Sequence, residues 1–399
     1  MPYLFIGAGQ AGSAIVDDVF GHHRIETLAT PLVFNSTVRD LQNLSHVERE
    51  FWYGIAERHG LVDGTVQGFE QQVVGGFGRN PVEADSVMSQ HADQLVEEFE
   101  YRYGQQADIP FVFLFLGLGG GTGCGIAPHI AEAITEYTGG ATEIIAVAVL
   151  PNTSGPVSED EETVTASRQA WNTRYGLDRL EDVVDGIVLV DNQRLAYEDA
   201  AEGRFSDYNE YVASAVVDLI AGPALERIDP GQYDEVDPPV IDVQDIVTAV
   251  SFDVKGRDSR PGYAALGRSV TMTRSLPGYL VPVLGRKEVD AGSLVRLATR
   301  KQTVEDADPG DAKKAIGLLR SPAEYISDPD YRIDTSLLSQ YMERKATLGE
   351  VNMGVSLTKR NLASFTTLFT YDRDDVDRIA EIERRAEEYE DETASLSEV

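Results

Sequence analysis

The chain has 399 residues, of which 67 are acidic and 34 basic, giving a formal net charge of −33 at pH 7. A surface this acidic repels the phosphates of nucleic acids and of anionic lipids, so we expect neither as a general partner. The length suits roughly two domains of 150 to 200 residues each.

The acidic excess favours adaptation to a salt-rich solvent over an acidic interaction surface, because lysine is scarce and first occurs at Lys255. The single cysteine, Cys124, excludes an internal disulfide and is typical of a reducing compartment. The amino terminus carries no basic stretch before its apolar run, and no segment approaches the ~18 consecutive apolar residues of a membrane span. We therefore expect a cytoplasmic protein without direct membrane insertion.

The first half of the chain alternates short apolar runs with segments of helical spacing. The runs read as buried strands, because they are apolar on both faces; they lie at 3–7, 31–35, 111–117, 143–151 and 186–192. The helical segments lie at 11–23, 85–104, 125–139 and 166–184. This alternation predicts an α/β fold with a doubly wound, mostly parallel sheet, in which ligands bind at the carboxyl ends of the strands.

The second half predicts one long helix followed by a smaller α+β domain with a mixed sheet. Apolar residues at three and four spacing indicate a helix over 205–222, and the proline-rich acidic stretch at 226–240 marks a junction. Strands are predicted at 262–272, 278–285, 351–359 and 363–371, and a helix at 291–301. The charged end is expected to form a helix that frays into an acidic tail. The predicted divisions are 1–204, 205–222, 223–261, 262–372 and 373–399.

Two glycine-rich loops follow predicted strands. The first, GAGQAGSA at 7–14, formally matches the dinucleotide pattern GxGxxG, but no acid stands at the end of the second strand to bind a ribose. The second, GLGGGTGCGIAP at 117–128, can bring several backbone N–H groups onto one phosphate. A Walker lysine is impossible there, and tight packing alone would explain only one or two of the glycines. The pair of loops predicts a phosphate site other than a P-loop.

The segment GGGTGCG at 119–125 resembles the phosphate-loop signature of the tubulin and FtsZ superfamily. Other loops are similar to those of the family and occur in its order: 7–14, 34–41, 73–85 and 190–195. Gln10 is similar to the glutamine of tubulins and of the archaeal CetZ group. The resemblance spans nearly the whole chain and is strongest to about residue 250.

The resemblance implies GTP or GDP as the bound nucleotide, with Mg²⁺. It implies that Asn192 meets the guanine edge, that Phe205 stacks on the base, and that Asn209 reads it from the same helix face. The alternative is that Phe205 is a core residue and Asn209 a surface residue. The remaining nucleotide-binding residues that it implies are Gly9, Gln10, Ala11, Asn35, Gly76, Gly78, Gly119, Gly120, Gly121, Thr122 and Gly123. Cys124 is expected to pack in the interior.

In this family one subunit holds the nucleotide and the next supplies acids that polarise the attacking water. The matching positions are Asp242 and Asp245, in the D-x-x-D spacing of FtsZ; Asp245 would orient the water and Asp242 would help to hold the cation. The alternative is that the pair merely caps a helix. Two departures from FtsZ are Val240, where FtsZ has an asparagine, and the acidic run at 159–162, which implies slow or salt-dependent turnover.

The resemblance therefore implies a GTP-binding cytoskeletal protein that assembles head to tail with itself. A GTP-binding domain would occupy 1–204, a catalytic acid loop 223–261 and a GTPase-activating domain 262–372. Gln10 and the acidic ending favour a CetZ-like role in cell shape over an FtsZ-like role in division. A non-polymerising GTP-binding regulator of a related filament remains an alternative, as does, less strongly, a nicotinamide-dependent oxidoreductase.

Overall fold

A computed structural model describes residues 3–105, 108–153, 162–196, 205–225, 239–252, 260–274, 285–304, 307–345 and 350–397. Eleven strands occur in these residues: β1 Tyr3–Ala8, β2 Ala29–Asn35, β3 Trp52–Ala56, β4 Gly60–Asp63, β5 Phe111–Gly117, β6 Glu143–Leu150, β7 Gly186–Asp191, β8 Gly262–Met272, β9 Lys314–Ser321, β10 Glu350–Leu357 and β11 Leu362–Tyr371. The strand predicted at 278–285 lies outside the described residues except for Gly285.

The helices of the described residues alternate with the strands over the first half and follow them in the second. They are α1 Gly9–Phe20, α2 Val38–Gln42, α3 Phe69–Gln72, α4 Pro81–Gln90, α5 Ala92–Tyr103, α6 Thr122–Thr138, α7 Glu162–Leu180, α8 Gln193–Ala196, α9 Phe205–Leu225, α10 Val243–Val250, α11 Ala291–Arg300, α12 Glu324–Ser327, α13 Thr335–Lys345 and α14 Asp377–Ser397. None of them combines the length and apolar character that a membrane span requires.

The described strands form one sheet in the order β10-β9-β11-β8-β7-β6-β5-β1-β2-β3-β4. Antiparallel pairing joins β9 to β11, β11 to β8, and β3 to β4, and all other neighbours are parallel. This mixed, mostly parallel α/β sheet confirms the predicted fold class. The strands after residue 260 continue the sheet of the first half through the β7–β8 pair. The division of the chain into domains stays a prediction.

Helices cover both faces of the sheet. Alternate residues of β5 enter different apolar clusters: Leu114 packs with α6 on one face, whereas Phe115 packs with α1 and α9 on the other. Burial on both faces explains why the central strands are apolar at nearly every position. The long helix α9 confirms the predicted central helix and extends to Leu225, three residues beyond the predicted end.

Candidate functional site

A cavity of about 570 Å³ opens at the carboxyl ends of the parallel strands. Ala8, Asn35 and Gly117, the last residues of β1, β2 and β5, line it together with residues that follow β6 and β7. Of the residues proposed from the sequence to bind a nucleotide, twelve line this cavity: Gly9, Gln10, Ala11, Asn35, Gly76, Gly78, Gly119, Gly120, Gly121, Thr122, Gly123 and Asn192. The fold therefore brings together loops that are more than 180 residues apart in the chain.

Close backbone contacts between the loops require glycine at two positions. Gly9 has φ +72°, and a Cβ there would lie 2.9 Å from the Gly123 nitrogen. A Cβ on Gly121 would lie 2.6 Å from the Asn80 nitrogen. Side chains at these positions would separate the loops, so the glycines serve the shape of the cavity as well as access to a ligand. Close backbone packing therefore explains one glycine in each of the two glycine-rich loops, Gly9 and Gly121.

Polar side chains join the loop at 34–41 to the loop at 117–128 beside the cavity. The hydroxyls of Ser36 and Thr122 are 2.7 Å apart. Asn35 is buried, with its Oδ1 accepting from the Thr37 N–H at 3.1 Å and its Nδ2 donating to Asp40 at 3.4 Å. Helix α6 begins at Thr122, so its first backbone N–H groups point towards the cavity. An anion is favoured at such a helix end.

A second cavity of about 630 Å³ adjoins the first. The two cavities share several lining residues, among them Gln10, Asp40 and Asn192. Asn209 lines only the second cavity. The structure thus brings Asn192 and Asn209 to one cavity, as the sequence predicts for a base-reading pair. The side chain of Phe205 lies outside the described residues, so its proposed stacking role stays a prediction.

Carboxylates at the second cavity were not anticipated from the sequence. Asp17 accepts backbone N–H groups from Ser45, His46 and Val47 at 2.7 to 3.0 Å. Burial, followed by the charges of Asp17 and Glu210, raises the pKa of Asp18 to about 6. No sequence motif marks these acids, because they follow the first loop on helix α1 and face the cavity only once α9 packs against it.

Side chains of helix α7 donate hydrogen bonds to two loops of the first cavity. The buried Asn172 donates from Nδ2 to the carbonyl oxygens of Arg79, Gly119 and Gly120 at 3.0, 3.2 and 3.5 Å. Arg168 donates to the carbonyls of Gly78 and Arg79 at 3.3 Å each. The loops at 73–85 and 117–128 are therefore both held by helix α7. The acidic run at 159–162, which precedes this helix, lies outside the described residues except for the backbone of Glu162.

The C-terminal helix α14 also reaches the rear of the site. Its buried Arg378 donates to Asp191 at 3.0 Å, to the Thr153 hydroxyl at 2.8 Å and to the Pro151 carbonyl at 2.7 Å. Asp191 immediately precedes Asn192, and Pro151 lines the first cavity. This role could not be predicted from the sequence, because a charged helix rich in glutamate gives no sign that one of its arginines is buried.

Asp242 and Asp245 line neither cavity. They form a reciprocal capping box at the start of α10: Asp242 Oδ1 accepts the Asp245 N–H at 3.0 Å, and Asp245 Oδ2 accepts the Asp242 N–H at 2.8 Å. The capping interpretation is therefore realised. Helix α10 ends with Val250 against Gly186, at the amino end of β7, whereas the cavity lies at the carboxyl end.

The surroundings of Cys124 are those of a packed interior residue. Cys124 is buried, and its thiol lies 2.6 Å from the Leu118 carbonyl oxygen; burial raises the pKa of this thiol well above its usual value. This matches the expected packing role. Within the described ranges, no group of three or more His, Cys, Asp or Glu side chains is placed to hold a metal ion.

Comparisons with known proteins show a family match over the first half of the chain and a likeness of fold over nearly all of it. Residues 3–198 match the model of the Tubulin/FtsZ family, GTPase domain. Over 235 residues the chain is 30% identical to a tubulin-like protein CetZ from Pyrococcus horikoshii. That alignment covers 58% of this chain and 55% of the relative, so the chain matches only about half of the curated relative's length.

Solved structures with the same fold span nearly the whole chain. CetZ from Methanosaeta thermophila has a TM-score of 0.68 at 17% identity, covering 100% of this chain and 93% of that one. A GTPγS-bound protofilament of CetZ2 from Haloferax volcanii has a TM-score of 0.70 at 18% identity, covering 99% and 100%. FtsZ from M. jannaschii has a TM-score of 0.60 at 18% identity, covering 94% and 92%.

Proposed function

We propose that the chain is a member of the Tubulin/FtsZ family, whose GTPase-domain model matches residues 3–198, and that it binds and hydrolyses GTP as a head-to-tail polymer. The observation that carries this proposal is the cavity itself, in which glycine-rich loops after β1 and β5 meet polar residues after β2, β6 and β7. Its adjoining second cavity gives room for a base and ribose beyond the phosphates.

The phosphates would lie in the first cavity, against the N–H groups of Gly9, Gln10 and the start of α6. A Mg²⁺ ion accompanying them would be held mainly by phosphate oxygens and water, and would neutralise charge on the phosphates. The base would lie in the second cavity, where the Asn192 and Asn209 amides offer both donors and acceptors to the edge of guanine.

Hydrolysis requires a second subunit in this proposal. Asp242 and Asp245 lie outside the chain's own cavities and are partly or fully exposed, so they can only act on the nucleotide of a neighbouring copy. Exposed apolar residues occur near both proposed contact surfaces: Val74 is 73% exposed in the loop at 73–85, and Val240 is 40% exposed beside the two aspartates. A heterologous contact of this kind does not close on itself and builds filaments. GTPγS- and GDP-bound structures of the CetZ relatives support the choice of nucleotide.

Sedimentation tests assembly. In molar KCl with Mg²⁺, the purified chain should pellet with GTPγS and stay in the supernatant with GDP or without nucleotide. Equal pelleting in all three conditions would contradict nucleotide-controlled assembly. Binding of GTPγS without any pelleting would favour the non-polymerising regulator.

For the cellular task we propose control of cell shape, because the similar proteins include several CetZ proteins and Gln10, which resembles the glutamine of that group, lines the cavity. Deletion in the source organism should alter cell outline while division continues. Undivided filamentous cells would favour the FtsZ-like alternative. We also propose a cytoplasmic location and adaptation to high salt. The adaptation is tested by GTPase turnover, which should rise with potassium concentration.

A further inference from the structure

Arg378, in the first turn of α14, is a buried cation that bonds to the chain at the ends of two central strands. The residue is 4% exposed. Its guanidinium donates to the Asp191 carboxylate at 3.0 Å, to the Thr153 hydroxyl at 2.8 Å and to the Pro151 carbonyl at 2.7 Å, and it pairs with Glu381 of its own helix. Pro151 follows β6, and Asp191 is the last residue of β7. The planar guanidinium therefore fixes these two strand ends relative to each other.

The Asp191 carboxylate carries this contact to Asn192, a residue that lines both cavities. Asp191 is fully buried; one carboxylate oxygen accepts from Arg378, and the other accepts the Gln193 N–H at 2.9 Å. The second bond closes a turn around Asn192, whose own N–H donates to the Leu150 carbonyl at 3.1 Å. Arg378 lines neither cavity. The arginine thus holds the backbone of a cavity residue without reaching the cavity itself.

Asn209, the other amide proposed to meet the base, is linked to the same strand end. Its neighbour on α9, Tyr208, places its hydroxyl 3.3 Å from the Asp191 carbonyl oxygen and 3.1 Å from the Thr303 carbonyl oxygen. The Asp191 N–H also donates to the Thr303 carbonyl at 2.8 Å. Both amides of the second cavity are therefore positioned relative to residue 191, whose side chain Arg378 holds.

The bonds of Arg378 favour an effect on the base over an effect on the phosphates. Within the described part of the chain, its polar partners follow β6, end β7 or lie on α14, and none lies on the glycine-rich loops at 7–14 and 117–128. The second of these loops is held by α7 instead. A change at residue 378 should therefore move the base-reading amides and leave the phosphate-binding N–H groups in place.

Resting on the proposed function, we infer that Arg378 is a positioning residue for guanine, which sets Asn192 and Asn209 against the edge of the base and makes the site prefer guanine to adenine. An amide favours guanine only where it meets the donors and the acceptor of that edge at hydrogen-bond distance. Guanine carries an oxygen acceptor where adenine carries an amino donor. A displaced amide loses this selection while the phosphates stay bound, so the C-terminal helix contributes to the choice of base.

Two variants of Arg378 test this inference against a control on the same helix. Arg378→Lys keeps the buried charge but loses the planar fork, and Arg378→Gln also removes the charge. Arg385→Gln is the matched control, because Arg385 donates to the Thr153 carbonyl and pairs with Glu381 but does not contact Asp191. Dissociation constants of GDP and ADP are measured at fixed KCl by displacement of fluorescently labelled GDP, after thermal melting has shown that each variant is folded. Diphosphates keep assembly and hydrolysis out of the readout.

We expect the ratio of the ADP to the GDP dissociation constant to fall about fivefold or more in Arg378→Gln. The ratio should fall less in Arg378→Lys and stay unchanged in Arg385→Gln. A ratio within twofold of wild type in both Arg378 variants would overturn the inference. This includes equal weakening of both nucleotides, because an arginine with only a structural role would loosen the whole site.

Hydrogen exchange of the wild-type chain tests the inference if neither Arg378 variant folds. Coupling between two sites is reciprocal, so a bound guanine should stabilise the start of α14. At saturation, GDP should slow exchange of the Ile379 and Ala380 N–H groups about fivefold or more beyond the effect of inorganic pyrophosphate. Equal protection by the two ligands would overturn the inference. A wild-type chain that binds GDP no better than ADP would instead refute the proposed function.

Discussion

Replacing Asp245 with alanine separates the proposed catalytic role of this residue from its observed role as a helix cap. The substitution removes the acceptor of the Asp242 N–H, while the bond from the Asp245 N–H to Asp242 survives because it uses the main chain of residue 245. Losing one half of a capping box costs about 1 kcal/mol. In a chain of 399 residues this lowers the thermal midpoint by about 2 °C or less.

The effect of Asp245→Ala on turnover should be far larger than its effect on stability. Loss of a carboxylate that orients and polarises the attacking water is expected to reduce the GTPase rate about 100-fold or more. Affinity for GTPγS should stay unchanged, because Asp245 lines neither cavity. Polymers should also persist longer, since hydrolysis no longer converts their GTP to GDP.

The assay is phosphate release per mole of polymerised subunit, with sedimentation measuring the polymer in the same samples. Asp290→Ala is the matched control: Asp290 caps α11 through the N–H groups of Gly292 and Ser293, and it lines neither cavity. It should lose comparable stability and keep its turnover. If Asp245→Ala retains turnover within about threefold of wild type at equal polymer mass, the pair is only a cap and the catalytic assignment fails.

Three further predictions concern the scaffold of the site. Gly121→Ala should destabilise the nucleotide-free protein by about 1–3 kcal/mol, because the new Cβ would lie 2.6 Å from a backbone nitrogen. The control Gly120→Ala, whose Cβ meets nothing within 4 Å, should melt like wild type. Equal melting midpoints for the two variants would contradict this prediction. Arg378→Ala should cost about 3–5 kcal/mol in denaturant unfolding by removing the buried ion pair between Arg378 and Asp191, and a loss below 1 kcal/mol would show that the pair contributes little. The native pKa of Asp18, about 6, exceeds its unfolded value of 3.8, so ionisation of Asp18 opposes folding as the pH rises through 6. Asp18→Asn should therefore melt higher than wild type at pH 8 and equally at pH 4; a constant difference between pH 4 and pH 8 would refute the assigned pKa.

The central strands of the sheet were predictable because burial on both faces leaves continuous apolar runs. The strand predicted at 111–117 agrees with β5 at both ends, and the one at 262–272 agrees with β8. Strands β3, β4 and β9 were not predicted. Strands β3 and β4 are short and lie at one edge of the sheet, and β9 carries charged residues at both of its ends, so none of the three gives a clear apolar run.

The composition of the site was predictable to a similar depth. Glycine loops and asparagines at strand ends are visible as residue types, and the fold collects most of them at one cavity. Arg378 could not be found from the sequence because the side chain that it neutralises, Asp191, is 187 residues away. For Asp242 and Asp245 the sequence left two roles open, and one chain alone displays only the capping role.

GTP turnover per subunit, measured against protein concentration in molar KCl with Mg²⁺, tests the central claim most directly. We expect a rate near zero at low concentration that rises steeply above a threshold, because acids from one subunit must meet the nucleotide of the next. A constant, non-zero rate at all concentrations would contradict it, since each chain would then hydrolyse GTP without a neighbour.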